Sequence, residues 1–303
     1  MLRFVPERPP PELAPPHPTA RAVAARLFRW HATARRPLVI RDAATPWEIL
    51  IAEVMSQQTR IERVGPKWRQ FVDRWPTPDG LARASTHELL TAWAGLGYNR
   101  RALALREAAR SIVRAHGGEV PGSVEGLLGL PGIGPYSARA VAAVAFAVPV
   151  APLDVNVRRV VTRVLGPAVP AAGLQAAADR LVSRRDPARW VHAVMDLGAA
   201  MCGRTAPDCP RCPLAPVCRS RGTVGDGPMM PSQPRFGSTR RWLRGRLLTL
   251  AAERVEGTWL ALPERLGEHD AEAIRTAASA LCREGFIEVR DDHVRLVPDG
   301  GRG

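Results

Sequence analysis

Apolar residues recur along most of the chain at the spacing of an amphipathic helix. Between Trp47 and Met55 they follow the pattern i, i+3, i+4, i+7 and i+8, which is one face of a helix. Glu53 and Gln57 fall off that face together, one turn apart. Similar patterns recur to about residue 201, joined by short loops that contain Gly or Pro, and no convincing alternating strand precedes residue 250. The pattern predicts an all-α region over residues 21–221.

The pattern changes near the C-terminus. Residues 240–252 and 270–283 have helical periodicity, with Asp270 placed to cap the second helix, and residues 286–297 alternate around an Asp291-Asp292 turn like a hairpin. Helices followed by a two-stranded wing predict a small winged-helix-like α+β domain at residues 239–299. The Gly-, Pro- and Ser-rich residues 222–238 predict a linker, and the Pro-rich residues 1–20 predict an irregular N-terminal extension.

The 303-residue chain is strongly basic, with 43 Lys and Arg against 29 Asp and Glu and a formal net charge of +14. Such a balance is typical of proteins that neutralise phosphates, although genomic composition can also produce it. Lys67 is the only lysine in the sequence. No apolar run approaches the roughly 20 residues that span a membrane, and prolines interrupt the N-terminus where a signal peptide needs an apolar core. We therefore expect a cytoplasmic protein.

Four of the five cysteines, in the pattern Cys-x6-Cys-x2-Cys-x5-Cys, form a cysteine loop over residues 202–218: Cys202, Cys209, Cys212 and Cys218. Structural zinc sites usually pair two Cys-x-x-Cys knuckles, or one knuckle with two histidines, and here a single knuckle has no histidine nearby. Disulfides would suit a secreted chain. Four thiolates in one short loop suit a cubane cluster. The pattern therefore predicts a 4Fe-4S cluster.

Residues 130–140, LPGIGPYSARA, place a Pro-Gly-x-Gly turn directly before a helical run. Gly132 and Gly134 allow a tight turn, and the helix starting near Pro135 presents N–H groups and the positive end of its dipole to an anion. Alone, such a turn is more often an ordinary helix connection. Asp154 precedes the next apolar run and could simply be its N-cap. A capping carboxylate also has a fixed direction, so it can be functional.

Four segments together resemble the helix-hairpin-helix base-excision DNA glycosylases that carry an iron-sulfur loop, and within them the adenine DNA glycosylases called MutY. They are residues 53–59 (EVMSQQT), residues 95–98 (GLGY), the hairpin at 130–138 with residues 154–157, and the cysteine loop. They cover roughly residues 25–220 in the family's order. The resemblance implies two helical subdomains with an iron-sulfur loop, in a monomer that binds double-stranded DNA containing a mismatch or an oxidised guanine.

The resemblance also assigns roles to single residues. Glu53 would protonate the target base and Asp154 would stabilise the cationic sugar, while Tyr136 and Asn156 would support that site. This division fits the chemistry, because an N-glycosidic bond breaks through an oxocarbenium-like sugar, which needs a negative charge nearby while the leaving purine needs a proton. The ordinary alternatives are a solvated helix-face carboxylate for Glu53 and core packing for the tyrosines.

Further residues would contact DNA. Gln58 and Tyr98 would wedge into the duplex when the target base is flipped, and Arg41 would face the base pocket. Arg204, in the cysteine loop, could meet a phosphate. The remaining candidates lie in the same motifs: Gln57, Thr59, Leu96, Gly132 and Gly134.

Tyr136 decides between two reactions. Relatives that also cut the strand hold a lysine there, whose amine forms a Schiff base with the sugar. Tyrosine cannot, and Lys67 lies in a segment without a link to the motifs. The resemblance therefore implies a monofunctional glycosylase that uses water to remove adenine mispaired with guanine or 8-oxoguanine.

Two alternatives stay open: the same fold acting on thymine or uracil opposite guanine, and a non-catalytic iron-sulfur DNA-binding protein. Ser56, Asn99 and Val155 replace residues common in the family, which leaves the accepted base open. About 65 residues follow the linker, in a helix-helix-hairpin pattern. Long MutY proteins instead carry a domain that resembles a nucleotide-pyrophosphate hydrolase, so a preference for 8-oxoguanine over guanine is open too.

Overall fold

The computed structural model of the protein describes residues 18–167, 169–222 and 235–298. Most of the predicted N-terminal extension and of the predicted linker lies outside these ranges. None of the helices within them is both long enough and apolar enough to cross a membrane.

The predicted all-α region is helical in the described residues. Its α-helices are α1 (Ala20–Ala34), α2 (Pro46–Ser56), α3 (Ile61–Arg74), α4 (Pro78–Ala82), α5 (Thr86–Trp93), α6 (Arg100–His116), α7 (Val124–Leu128), α8 (Pro135–Ala145), α9 (Val155–Leu165), α10 (Leu174–Asp179) and α11 (Pro187–Ala200). The C-terminal region mixes helices and strands: α12 (Arg240–Ala252), β1 (Leu260–Ala261), β2 (Arg265–Leu266), β3 (His269–Asp270), α13 (Ala271–Arg283), β4 (Ile287–Arg290) and β5 (His293–Leu296).

The chain forms two compact units. Among the described residues, the first contains 18–36, 147–167 and 169–222, and the second contains 37–146 and 235–298. Helices α1 and α9–α11 thus belong to the first unit, and helices α2–α8 share the second unit with the C-terminal region. The domain boundaries expected from composition, at residues 20, 221 and 238, stay a prediction.

Helix α2 forms where the apolar pattern predicts it. Thr45 caps its N-terminus by accepting a hydrogen bond from the Glu48 N–H, and Pro46 occupies the first turn, where its missing donor is not needed. The predicted apolar face is buried, because each of its five side chains is at most 3% exposed: Trp47, Leu50, Ile51, Val54 and Met55. Helix α2 packs among α3, α6 and α8, and Glu53, which lies off the apolar face, is half-buried.

A buried carboxylate joins two helices of the first unit. Asp196 of α11 is 1% exposed and lies 3.0 Å from Nε2 of His31 in α1. Nε of Arg36 donates to the other carboxylate oxygen at 2.6 Å. A buried charge is tolerated only when it is paired and hydrogen-bonded, so these contacts fix the position of α1 against α11.

The C-terminal region has the predicted winged-helix-like pattern. Asp270 caps α13 by accepting from the Ala273 N–H, as expected. Strands β4 and β5 form the predicted antiparallel hairpin, with Asp291 in a left-handed conformation at its turn. Strand β1 pairs with β5, so the three-stranded sheet has the order β1-β5-β4.

The hairpin between α7 and α8 depends on one glycine. Gly132 has φ of +78°, and a Cβ added there would lie 2.6 Å from the Cβ of Ala104 on α6. Gly134, two residues later, is the N-cap of α8 with φ of −90°, and a Cβ added there would meet nothing within 4 Å. The close approach of the hairpin to α6 therefore requires glycine only at position 132.

We expect Gly132→Ala to lower the free energy of unfolding by about 2–4 kcal/mol, because it combines left-handed strain with a steric overlap. The control Gly134→Ala should cost less than about 1 kcal/mol. Denaturant unfolding of both variants measures the difference, and equal stabilities would contradict this account of the hairpin.

Candidate functional site

Glu53 takes part in a chain of side-chain hydrogen bonds within the second unit. Oγ of Ser137, on α8, donates to Oε1 of Glu53 at 2.8 Å, and Nε2 of Gln57 donates to the same Oγ at 2.9 Å. Because the amide nitrogen only donates and the hydroxyl has a single proton, the proton of Ser137 is directed at Glu53. Oε1 is thus an acceptor, and a proton carried by Glu53 would lie on Oε2.

Sequence reasoning missed Ser137. It is 3% exposed and follows Tyr136, itself half-buried in the first turn of α8. The only available signal was a hydroxyl at the start of a helix whose later buried positions are Ala and Val. Gln57, whose contact with DNA stays a prediction, orients the Ser137 hydroxyl.

Arg101, in the first turn of α6, ties the end of α2 to the GLGY loop, residues 95–98. Its guanidinium donates to the Oγ1 of Thr59 at 2.9 Å. It also donates to five backbone carbonyl oxygens, those of Val54, Met55, Gln57, Leu96 and Gly97. Carbonyls at a helix C-terminus lack partners within the helix, so Arg101 caps α2 and holds the GLGY loop against that cap.

The Arg101 guanidinium also lies 5.4 Å from the ring centroids of both Trp93 and Tyr98. Desolvation by burial lowers the pKa of Arg101 to about 10, against the opposing effect of Tyr98. The side chain therefore remains cationic at neutral pH, which strengthens its hydrogen bonds to the carbonyl oxygens.

Gln58 and Tyr98, the predicted wedge residues, share an unusual backbone conformation. Gln58 has φ of 53° and Tyr98 has φ of 49°. The left-handed region costs a residue with a side chain roughly 1–2 kcal/mol. Both residues are exposed, Tyr98 to 38%. Two strained residues with projecting side chains thus flank the contacts that Arg101 makes.

The structure places three more of the residues predicted to contact DNA. The side chain of Leu96, whose contact with DNA stays a prediction, is 5% exposed. Its carbonyl accepts from Arg101 and from Oγ1 of Thr59, so both residues shape the loop. Arg41 lies half-buried in a short 3-10 turn, Val39–Asp42.

Asp154 belongs to the first unit, where it caps α9. Its Oδ1 accepts from the Val157 N–H at 2.6 Å, and Nδ2 of Asn156 donates to Oδ2 at 3.4 Å. The N-cap interpretation is therefore confirmed. The same two bonds fix the direction of the carboxylate, which a catalytic role also requires.

Arg159, which sequence reasoning also missed, connects Asn156 to the cysteine loop. Its Nη2 donates to Oδ1 of Asn156 at 2.8 Å and to the carbonyl of Gly198 at 2.7 Å. Its Nε donates to the carbonyl of Cys202 at 2.6 Å. A continuous chain of hydrogen bonds thus runs from Asp154 through Asn156 and Arg159 to a predicted cluster ligand.

The four clustered cysteines line one small cavity, and none forms a disulfide. Nη1 of Arg163 lies 3.3 Å from Sγ of Cys202, and the Gly222 N–H lies 3.4 Å from Sγ of Cys209. Burial raises the pKa of the Cys212 and Cys218 thiols. Among the described residues no three metal-binding side chains converge on a single ion. The separated corners of a cubane do not require such convergence, so the thiols and N–H donors fit a cluster.

Arg204, predicted to meet a phosphate, lies exposed in the cysteine loop. Its carbonyl accepts from Nη2 of Arg163 at 2.9 Å, and the Gly203 carbonyl accepts from Nη1 at 2.7 Å. Arg163 therefore holds this stretch of the loop against α9.

Comparison with known proteins places the chain in a family. Residues 51–172 match the family described as HhH-GPD superfamily base excision DNA repair protein. An adenine DNA glycosylase of Mycolicibacterium smegmatis is 36% identical over 284 residues, which cover 91% of this chain and 97% of that protein. The chain belongs to the adenine DNA glycosylase family. The predicted enzyme class, a DNA N-glycosylase of base excision repair, is thereby confirmed.

Other family members and solved structures agree. The adenine DNA glycosylase of Mycobacterium tuberculosis is 42% identical over 73% of this chain and 76% of its own length. The human one is 35% identical over 70% of this chain but 42% of its own length. A thermostable thymine-DNA glycosylase has a TM-score of 0.62 at 26% identity, over 67% of this chain and 96% of that structure. An endonuclease III–DNA complex has a TM-score of 0.56 at 25% identity, over 67% of this chain and 96% of that structure.

We expect Ser137→Ala to lower the single-turnover rate of adenine release about tenfold, because Glu53 loses an oriented donor, while the affinity for the duplex is unchanged. Ser56→Ala is the matched control, since the Ser56 hydroxyl donates to the Ala52 carbonyl within α2. Equal rates for the two variants would rule out a role for the Ser137 hydroxyl.

We expect Arg159→Gln to lower adenine release more than about tenfold and to reduce the iron content, because it removes charged hydrogen bonds at both ends of the chain to Cys202. The control Arg158→Gln removes the same charge from its exposed neighbour. Rate measurements and iron analysis of both proteins test this, and normal iron with normal rates in Arg159→Gln would refute the connection.

Proposed function

We propose that the protein hydrolyses the N-glycosidic bond of adenine mispaired with guanine or 8-oxoguanine in double-stranded DNA, without cutting the strand. The observation that carries the proposal is the hydrogen-bonded set of Glu53, Ser137 and Gln57. It presents a half-buried carboxyl group whose hydrogen-bonding is already organised. The names of the related adenine DNA glycosylases support the choice of adenine.

Glu53 is the general acid in this proposal. Oε1 accepts the Ser137 proton, and in this proposal Oε2 carries the proton that passes to a purine nitrogen. Protonation turns the departing adenine into a neutral leaving group. A positioned acid of this kind typically contributes a factor of about 10²–10⁴ to the rate.

Asp154 supplies the negative charge that the developing oxocarbenium sugar needs. Its bonds to the Val157 N–H and to Asn156 hold the carboxylate in one orientation before the reaction begins. A preorganised charge stabilises the transition state without a reorganisation cost.

Water completes the reaction. Tyr136 offers no amine for a Schiff base, and Lys67, the only lysine, lies on α3. A water molecule adds to the anomeric carbon and loses a proton, so the products are free adenine and an abasic site in an intact strand.

The cysteine loop would hold a 4Fe-4S cluster through Cys202, Cys209, Cys212 and Cys218. The cavity that all four line, with N–H donors from Arg163 and Gly222 near two of the sulfurs, supports this assignment. Hydrolysis needs no electron transfer, so the cluster supplies a rigid cross-link of the loop when bound. That link holds the loop against α9, the helix that Asp154 caps.

A second candidate substrate is thymine or uracil opposite guanine, because the fold is similar to that of a thymine-DNA glycosylase. Release of a pyrimidine depends less on protonation by Glu53. The two candidates therefore differ in the base released and in its sensitivity to loss of the acid.

Base release from duplexes carrying A opposite 8-oxoG, A opposite G, T opposite G and U opposite G tests the proposal. We expect adenine to be released from the first two, with strand breaks appearing only after alkaline treatment. Glu53→Gln and Asp154→Asn should each slow release by at least about 10²-fold while duplex binding survives. Faster release of thymine or uracil, or full activity of either variant, would overturn the assignment.

A further inference from the structure

An arginine of the C-terminal region contacts the wedge residue Tyr98. Nη1 of Arg241, on α12, donates to the phenolic oxygen of Tyr98. The guanidinium carbon of Arg241 also lies 5.1 Å from the Tyr98 ring centroid and 4.9 Å from that of Phe236. With Arg101 at 5.4 Å, the tyrosine ring has two cationic neighbours, one from the GLGY side and one from the C-terminal region.

Packing within the second unit fixes the position of Arg241. Helix α12 packs against α5, and Oγ1 of Thr91 donates to the carbonyl of Ala252 at the end of α12. Arg244 forms an ion pair with Glu284 at 2.7 Å, which joins α12 to the end of α13. Arg241 is thus presented to the ring by a helix that is anchored at several points.

We propose that Arg241 is a positioning residue, through which the C-terminal region holds Tyr98 in the orientation that enters the base stack. The proposal rests on the proposed function, in which Tyr98 is a wedge. An exposed tyrosine is free to change rotamer, and its ordering would otherwise be required at the moment of insertion. A hydrogen bond to its hydroxyl and a cation–π contact to its ring remove much of that freedom beforehand.

The contact also gives the C-terminal region a role in base flipping that does not require this region to recognise a base. Arg241 acts on the residue that separates the bases, so its loss should affect binding to a duplex that can be opened at the mismatch. Binding to a matched duplex depends on the net charge of the surface, and any nearby arginine contributes to that. This difference distinguishes positioning from simple attraction to phosphates.

The experiment compares Arg241→Ala with Arg240→Ala, its exposed neighbour on the same helix, which carries the same charge. Both are placed in a Glu53→Gln background, which prevents base release. A 2-aminopurine next to the target adenine, opposite 8-oxoguanine, reports base flipping by fluorescence, and anisotropy gives dissociation constants for mismatched and matched duplexes.

We expect Arg241→Ala to lower the flipped fraction and the mismatch affinity about 3- to 30-fold, the range of a cation–π contact with a charged hydrogen bond. Both variants should weaken matched-duplex binding equally. In a Tyr98→Leu background, which keeps an apolar wedge without ring or hydroxyl, Arg241→Ala should lower mismatch affinity no more than Arg240→Ala does. Arg241→Lys should restore part of the loss, which separates positioning from a folding defect.

Equal mismatch affinities for the Arg241→Ala and Arg240→Ala variants would overturn the proposal, and so would a loss from Arg241→Ala in the Tyr98→Leu background that exceeds the loss from Arg240→Ala there. The wild-type protein tests the proposed function separately, through adenine release from the same duplex without 2-aminopurine. If the wild-type protein releases adenine but Arg241→Ala has no larger effect than Arg240→Ala, only this inference is rejected. Absence of adenine release rejects the proposed function.

Discussion

The second unit depends on the hydrogen bonds of one guanidinium group. Arg101 donates to three carbonyls at the end of α2 and to two in the GLGY loop, so it joins the segment that carries Glu53 to the segment that carries Tyr98. Carbonyl oxygens at a helix end and in a loop could otherwise turn to water. The half-buried Arg101 guanidinium binds them together, and these bonds lie beside the left-handed backbone at both wedge residues.

Two hydrogen-bond relays have the same design in different units. In one, Gln57 orients Ser137 and Ser137 orients Glu53; in the other, Arg159 orients Asn156 and Asn156 contacts Asp154. Each carboxyl group is directed by a neutral polar side chain, which in turn is fixed by a further donor. Placement of a catalytic group within a fraction of an ångström requires such support from a second layer of residues.

The sequence predicts the helices, the wing and both carboxylates because their signals are local: an apolar period, a cap, or a motif of a few residues. Arg101, Ser137 and Arg159 escape prediction for the opposite reason. Their partners are backbone carbonyls or side chains that only the folded chain brings within reach, and an arginine among 41 others of its kind has no distinguishing neighbours. The burial of the Leu96 side chain is not predicted either, because it lies in a glycine-rich loop with positive φ at Gly95 and Gly97, whose direction no periodicity encodes.

The left-handed backbone conformation at Gln58 and Tyr98 lowers stability, but the side chains at these positions are the ones proposed to act in repair. Glycine at either position would relieve the conformational cost and leave the hydrogen bonds from Arg101 to the neighbouring carbonyls in place, but it would delete the side chain assigned to the duplex. A laboratory evolution scheme that rewards only thermal resistance would therefore favour glycine at both positions. A selection for genome maintenance would keep the bulky side chains. The two selections would therefore favour different residues at the same two positions.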